Sequence, residues 1–156
     1  QIKIILELLK DLNHAVEKAK QEGRLKENIK KKIGMISFYG EQVRKLKHLV
    51  DENLVALPHL QFRIGTVDRF QGMESDVIIA SFVRNHNNKQ DDIGFLNDYR
   101  RLNVALSRAK ELLVITGSAK MFTKQAKKAS SRKMFSNVEQ TIRDKNGMRD
   151  HIGRVK

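Results

Sequence analysis

Residues 65–83 read Gly65-Thr66-Val67-Asp68-Arg69-Phe70-Gln71-Gly72-Met73-Glu74-Ser75-Asp76-Val77-Ile78-Ile79-Ala80-Ser81-Phe82-Val83. The run Val77-Ile78-Ile79-Ala80 is apolar on both faces, as a parallel strand covered by helices on each side should be, so Asp76 to Val83 is assigned as a strand. Phe62 to Val67 reads as a second strand, and the polar segment between them is too short for an ordinary crossover connection. The two strands are therefore not assigned as neighbours.

Working outward, Ile33-Gly34-Met35-Ile36-Ser37 and Leu112 to Thr116 are further strands. Helical periodicity fills the spaces between. Ile2, Ile5, Leu6, Leu9, Leu12 and Val16 recur at spacings of three and four, predicting a helix over 2–22 that stops at Gly23. A second helix is expected from Glu41 to Asp51, with Val43, Leu46, Leu49 and Val50 on one side and Pro58 in the loop beyond it. Asp98 can cap a third running to Lys110. Residues 85–93 are polar and read as a loop. Helices are also expected near 118–128 and 132–145, with 146–156 poorly ordered. Strands alternating with helices indicate an α/β fold with a mainly parallel sheet.

With 40% hydrophobic and 31% charged residues, the 156-residue chain can build a core. No apolar run approaches the roughly 20 residues that span a bilayer. The absence of cysteine excludes disulfides and cysteine-ligated metals and fits a reducing, cytoplasmic setting. The net charge of +13 is unevenly spread. Residues 1–32 carry nine Lys/Arg against five Asp/Glu, residues 33–117 eleven against ten, and residues 118–156 eleven against three. Such a basic flank (Lys120, Lys124, Lys127, Lys128, Arg132, Lys133) suits a polyanion that gives up counterions, or equally a solvated extension. The chain starts at Gln1 without an initiator Met, and a boundary inside a longer protein is expected there.

Two segments concentrate polar chemistry. In the first, Thr66, Asp68, Gln71, Gly72 and Glu74 follow a strand, and ligands of open α/β sheets bind beyond carboxyl ends of strands. Gly72 allows positive φ or close backbone approach. An ordinary polar loop is the alternative. In the second, Leu102, Ala105, Leu106 and Ala109 share one helical face. Arg101 and Arg108, seven positions apart, share a neighbouring stripe. Guanidinium groups bind phosphate oxygens bidentately and stay charged, although a helix pairing with carboxylates has the same look.

Three strings add a resemblance: IGMISFYGEQ (33–42), GTVDRFQGMESDVIIASFVR (65–84) and GFLNDYRRLNVALSRAKELLVITG (94–117). Together they resemble motifs IV, V and VI of superfamily 1 helicases, nearest to the up-frameshift-type group, in the right order over about residues 1–122. The resemblance implies a second RecA-like lobe, a P-loop NTPase-type sheet without its own P-loop; beyond it, charge and helical pattern lead to a basic helical, partly disordered extension over 123–156. It implies that Arg108 reaches the ATP γ-phosphate as an arginine finger, stabilising charge on the transferring group. Glu74 matches a residue that contacts the ribose, and Gln71 and Gly72 belong to the same loop. Thr66 and Val67 match a place where a hydroxyl and backbone amides hold nucleic-acid phosphate. Tyr39 and Gln42 match the motif IV turn, Arg101 and Asn103 support the motif VI helix and its coupling to the cleft, and Tyr39, Gln42 and Arg101 are grouped with the ATP contacts. Some relatives carry a further γ-phosphate arginine where this chain has Val43; Arg44, one residue later, is turned by ~100° along the helix.

Neither a G-x-x-x-x-G-K-[ST] loop nor an acidic pair after an apolar strand, as a Mg2+ site would need, is present. Both are expected from an N-terminal RecA-like lobe, which would hold most of the ATP and Mg2+. The expected partners are that lobe and single-stranded DNA or RNA, with 5′ to 3′ travel; no membrane is expected. A catalytically inactive interaction module, or the helicase part of a nuclease–helicase fusion, are the other readings.

Overall fold

The computed structural model describes residues 1–82, 99–117 and 129–148. The chain divides into two compact units, residues 1–83 with 103–117 and residues 84–102 with 118–156. The expected loop at 85–93, the cap at Asp98, the helix near 118–128 and the residues after 148 lie outside the described parts.

In the first unit α1 spans Ile2–Gln21, and its apolar stripe buries Ile5, Leu9 and Val16. The expected stop at Gly23 is real: at φ +72° it donates to Lys20 O, while Arg24 N–H donates to Ala19 O. This double closure satisfies two otherwise orphaned carbonyls and suits a residue without Cβ. Strand β1 is Lys31–Ser37 and helix α2 is Gly40–Asn53. A 3-10 turn, Leu54–Ala56, leads past Pro58 into β2, Leu60–Thr66. Another 3-10 turn, Val67–Phe70, precedes β3, Ser75–Ser81. Helix α3, Tyr99–Leu106, is shared between the two units at residue 103, and β4 is Ala109–Thr116.

Among the described residues the strands form one four-stranded sheet, parallel throughout, in the order β2-β1-β3-β4. On one face Ile33, Met35, Val77 and Ile79 join Ile5, Leu9, Leu46, Leu49 and Val50 in a single core, so α1 and α2 cover that side. Each fully buried Ile or Leu contributes roughly 1.5–3 kcal/mol through area removed from water.

Two sequence expectations change. Val67 belongs to the 3-10 turn, with its side chain buried, and not to β2. The third helix ends at Leu106 instead of Lys110, because Ala109 pairs with Ser75 and the chain turns into β4. Arg108 therefore lies in the turn after α3, and the stripe shared with Arg101 does not form. Caution about the neighbouring strands is borne out: β1 lies between β2 and β3.

Residues Val67–Glu74 thus run from the carboxyl end of β2 to the amino end of β3, which for seven-residue strands is ~20 Å. Eight residues, four of them in a tight turn, cover that distance with little slack. Phe70 pins the crossing at mid-span. Its ring is buried on the sheet face opposite α1 and α2, where a Cβ on Gly34 would come within 2.9 Å of it and within 2.5 Å of Ile78 Cδ1.

In the second unit, α4 (Ala129–Asp144) buries Ser131 and Phe135, and an Arg143–Glu139 pair spans one turn at 2.6 Å. The helix closes on Asn146 at φ 52°, with Gly147 N–H donating to Ile142 O. Of the basic tail, Arg132 and Lys133 stand on α4, while Lys120, Lys124, Lys127 and Lys128 lie outside the described residues.

Candidate functional site

Because every strand runs the same way, the sheet has two chemically distinct ends, and the sequence-selected residues divide between them. At the amino ends of β3 and β4, Ser75 N–H donates to Arg108 C=O at 3.1 Å. That bond joins two segments more than thirty residues apart and sets Glu74 beside the turn that carries Arg108. Glu74 Oε2 lies 3.6 Å from Lys110 Nζ, both side chains more than half exposed. The half-buried Arg108 donates from Nε to Val104 O at 3.1 Å, capping α3. Among the described residues that is the guanidinium's only bond, and its two terminal amino groups make none.

Gln71 is exposed on the same approach, and Gly72 adopts φ +76° with open space where a Cβ would stand. Gln71, Gly72 and Glu74 therefore sit at amino ends of strands, not the carboxyl ends expected from the sequence. The reason is the crossing by Val67–Glu74, which no local pattern displays. On α3, Arg101 is half-buried and Asn103 exposed; Asn103 C=O accepts from Ser107 N–H at 3.0 Å.

At the carboxyl ends a hydroxyl residue closes every strand. In sheet order these are Thr66, Ser37, Ser81 and Thr116, matched in register. Ser37 and Ser81 are fully buried. Gln42 donates from Nε2 to Ser81 Oγ at 3.0 Å in a buried bond, and Tyr39 N–H donates to Ser37 Oγ at 3.3 Å. Gln1 donates to Thr116 Oγ1 at 2.8 Å and to Thr116 O at 2.9 Å. Thr66 is half-buried, and its hydroxyl does not cap the turn that it starts. Val67 can offer only its backbone, since its side chain is buried. Arg44 is exposed on α2 beside the buried Val43.

The structure thus brings Arg108, Glu74, Gln71 and Gly72 to one end of the sheet and Thr66, Tyr39 and Gln42 to the other, ~20 Å away. Any ATP contact by Tyr39 or Gln42 would have to come from the end opposite Arg108. Sequence reasoning missed Lys110 as the partner of Glu74 and Ser81 as the partner of Gln42. A serine closing an apolar strand, in IGMIS and DVIIAS, was the available sign of the latter.

A four-stranded parallel sheet flanked by helices fits a lobe of the RecA-like class. Residues 1–120 match the model of the AAA domain family, and the chain belongs to that family. Within it this is a C-terminal lobe, carrying motifs IV to VI, of the up-frameshift-type superfamily 1 helicases. Three relatives illustrate the likeness. The chain is 46% identical over 86 residues to DNA polymerase alpha-associated DNA helicase A of Saccharomyces cerevisiae, which covers 55% of this chain and 12% of that protein. It is 43% identical over 104 residues to the regulator of nonsense transcripts 1 homolog of Drosophila melanogaster, covering 65% and 9%. With an uncharacterized ATP-dependent helicase of Methanocaldococcus jannaschii it shares 36% over 123 residues, covering 78% and 17%. The chain spans less than a fifth of these relatives' length.

Proposed function

We propose that this chain is the C-terminal motor lobe of an ATP-dependent DNA or RNA helicase or translocase moving 5′ to 3′. The observation that carries this reading is the Ser75–Arg108 backbone bond, which holds Arg108 and Glu74 at one end of the sheet. The donor set fits a nucleotide: a guanidinium for phosphoryl oxygens, a carboxylate for ribose hydroxyls, and Gly72 leaving room for close approach.

ATP, when bound with Mg2+ mainly on an N-terminal RecA-like lobe, supplies the phosphoanhydride that is hydrolysed. Arg108 would face the γ-phosphate with its terminal amino groups, since Nε is spent on Val104. There it offsets the charge that builds up as the phosphoryl group leaves. Glu74 would accept from the ribose hydroxyls, with Gln71 beside it, and Lys110 steadies its carboxylate. Arg101 and Asn103 would support the motif VI helix and its coupling to the cleft. At the far end Thr66, with backbone amides at Val67, would hold a phosphate of the single strand. Tyr39 and Gln42, which the resemblance groups with the ATP contacts, stand at that end, Gln42 tying the start of α2 to β3. Closure of the two lobes on ATP and reopening after hydrolysis would then shift this grip relative to the other lobe.

The test uses a protein that contains both lobes. Arg108→Ala should lower nucleic-acid-stimulated kcat by about 10³-fold or more while nucleotide still binds. The present chain alone should turn over no ATP. Undiminished kcat in the variant, or steady hydrolysis by this chain alone that Arg108→Ala abolishes, would refute the assignment.

A further inference from the structure

Arg63 and Arg69 are exposed cations that the motifs above leave without a role. Arg63 stands on β2, outermost on its side of the described strands, on the face opposite α1 and α2, with its guanidinium carbon 5.8 Å from the centroid of the Phe70 ring. Arg69 follows in the 3-10 turn after Thr66. Its stem lies over the bare backbone of Gly65: a Cβ there would meet Arg69 Cβ at 3.4 Å and Cδ at 3.6 Å, with Phe70 Cε2 at 3.5 Å. One buried ring and one glycine therefore seat both arginines, Arg63 by its head group and Arg69 by its stem.

Among the described residues neither guanidinium is in an ion pair. Asp68, the acid in the same turn, is engaged in a contact of its own. Residues 33–117 are otherwise almost charge-balanced, so two cations without an ion pair among the described residues are a local excess. Both flank the β2 strand end and its following turn, where Thr66 stands. A guanidinium in cation–π contact with a ring keeps its charge and its N–H donors for phosphate oxygens, whatever the base sequence.

We propose that Arg63 and Arg69 form a phosphate-binding pair that extends the single-strand path from Thr66 over the outer face of β2. This rests on the nucleic-acid reading of Thr66. The ligand is the sugar–phosphate backbone of single-stranded nucleic acid, bound without base readout and strongly salt-dependent.

The experiment measures binding of fluorescein-labelled oligothymidylate and oligouridylate by anisotropy across a salt series. Each phosphate contact contributes about 0.7 to the slope of log affinity against log salt on single strands, so Arg63→Gln with Arg69→Gln should flatten it by about 1.4. Between about 50 and about 200 mM salt, the affinity lost then becomes roughly sevenfold smaller than for the parent. Replacing both residues by Lys should keep most of the parent slope, and an unchanged melting curve shows that the fold is intact. Equal slope and equal affinity in the Gln variant and a binding parent overturn the arginine pair alone. A parent that binds neither oligonucleotide overturns the pair together with the nucleic-acid reading beneath it. A flattened slope for only one of the two oligonucleotides supports the pair and assigns the sugar preferred.

Discussion

Gly34→Ala tests the crossing that divides the two ends of the sheet. Glycine inside a strand costs roughly 0.5–1 kcal/mol relative to alanine, so in an open position the change would stabilise. Here the new Cβ would stand 2.5 Å from Ile78 Cδ1 and 2.9 Å from both Phe70 Cε1 and Ser75 Oγ. The Ile78 methyl can rotate, but the Phe70 ring is rigid and buried, and Ser75 is held at the start of β3. Overpacking a filled site costs about 1–3 kcal/mol. The clash therefore outweighs the entropy gain, and net destabilisation of about 1–2 kcal/mol is expected, a fall of roughly 2–8 °C in Tm for a domain of this size. Thermal unfolding followed by far-ultraviolet circular dichroism reads it directly. Gly40→Ala is the matched control, since nothing lies within 4 Å of a Cβ at the first residue of α2. Combining Gly34→Ala with Phe70→Leu should cost less than the sum of the two single changes, because both act on one contact. A raised Tm for Gly34→Ala, or strict additivity in the pair, would show that Phe70 does not sit on Gly34 as described.

Gln42→Leu removes the donor to Ser81 Oγ inside the sheet's carboxyl edge and should cost about 1–3 kcal/mol in urea unfolding; a cost near zero would mean that the bond is not formed. Gly72→Ala meets no neighbouring atom but must adopt φ +76°, so a loss of about 1 kcal/mol is expected by the same measurement, whereas a stabilised variant would place that backbone elsewhere. Lys110→Ala breaks a pair with both partners more than half exposed and should change stability by less than about 1 kcal/mol. In a two-lobe protein it should raise the KM for ATP and leave kcat near the parent value, by loosening Glu74; a large fall in kcat at constant KM would contradict a purely steadying role.

The three motif strings, the alternation of strands and helices, and the stop at Gly23 were legible because each depends on residues within a few positions of one another. A period of 3.6 identified Ile5, Leu9 and Leu46 on the inward faces of their helices, and the continuous apolar run Val77–Ala80 marked a strand covered on both sides; all of them are buried. The end of the third helix was not legible. Ala109 and Lys110 are good helix formers, yet a strand pairing with Ser75 claims Ala109 and ends α3 at Leu106. Propensity is worth tenths of a kcal/mol per residue, less than the packing and pairing that oppose it.

Periodicity, then, fixed an α/β fold, and the resemblance of three strings to motifs IV to VI implied a lobe and the order of its functional segments. Which end of the sheet each segment reaches was decided in three dimensions. A strand's hydrophobic pattern reads the same in either direction, and only the extended path of Val67–Glu74, pinned by Phe70 against Gly34, carries Glu74 away from Thr66 and sets it beside Arg108.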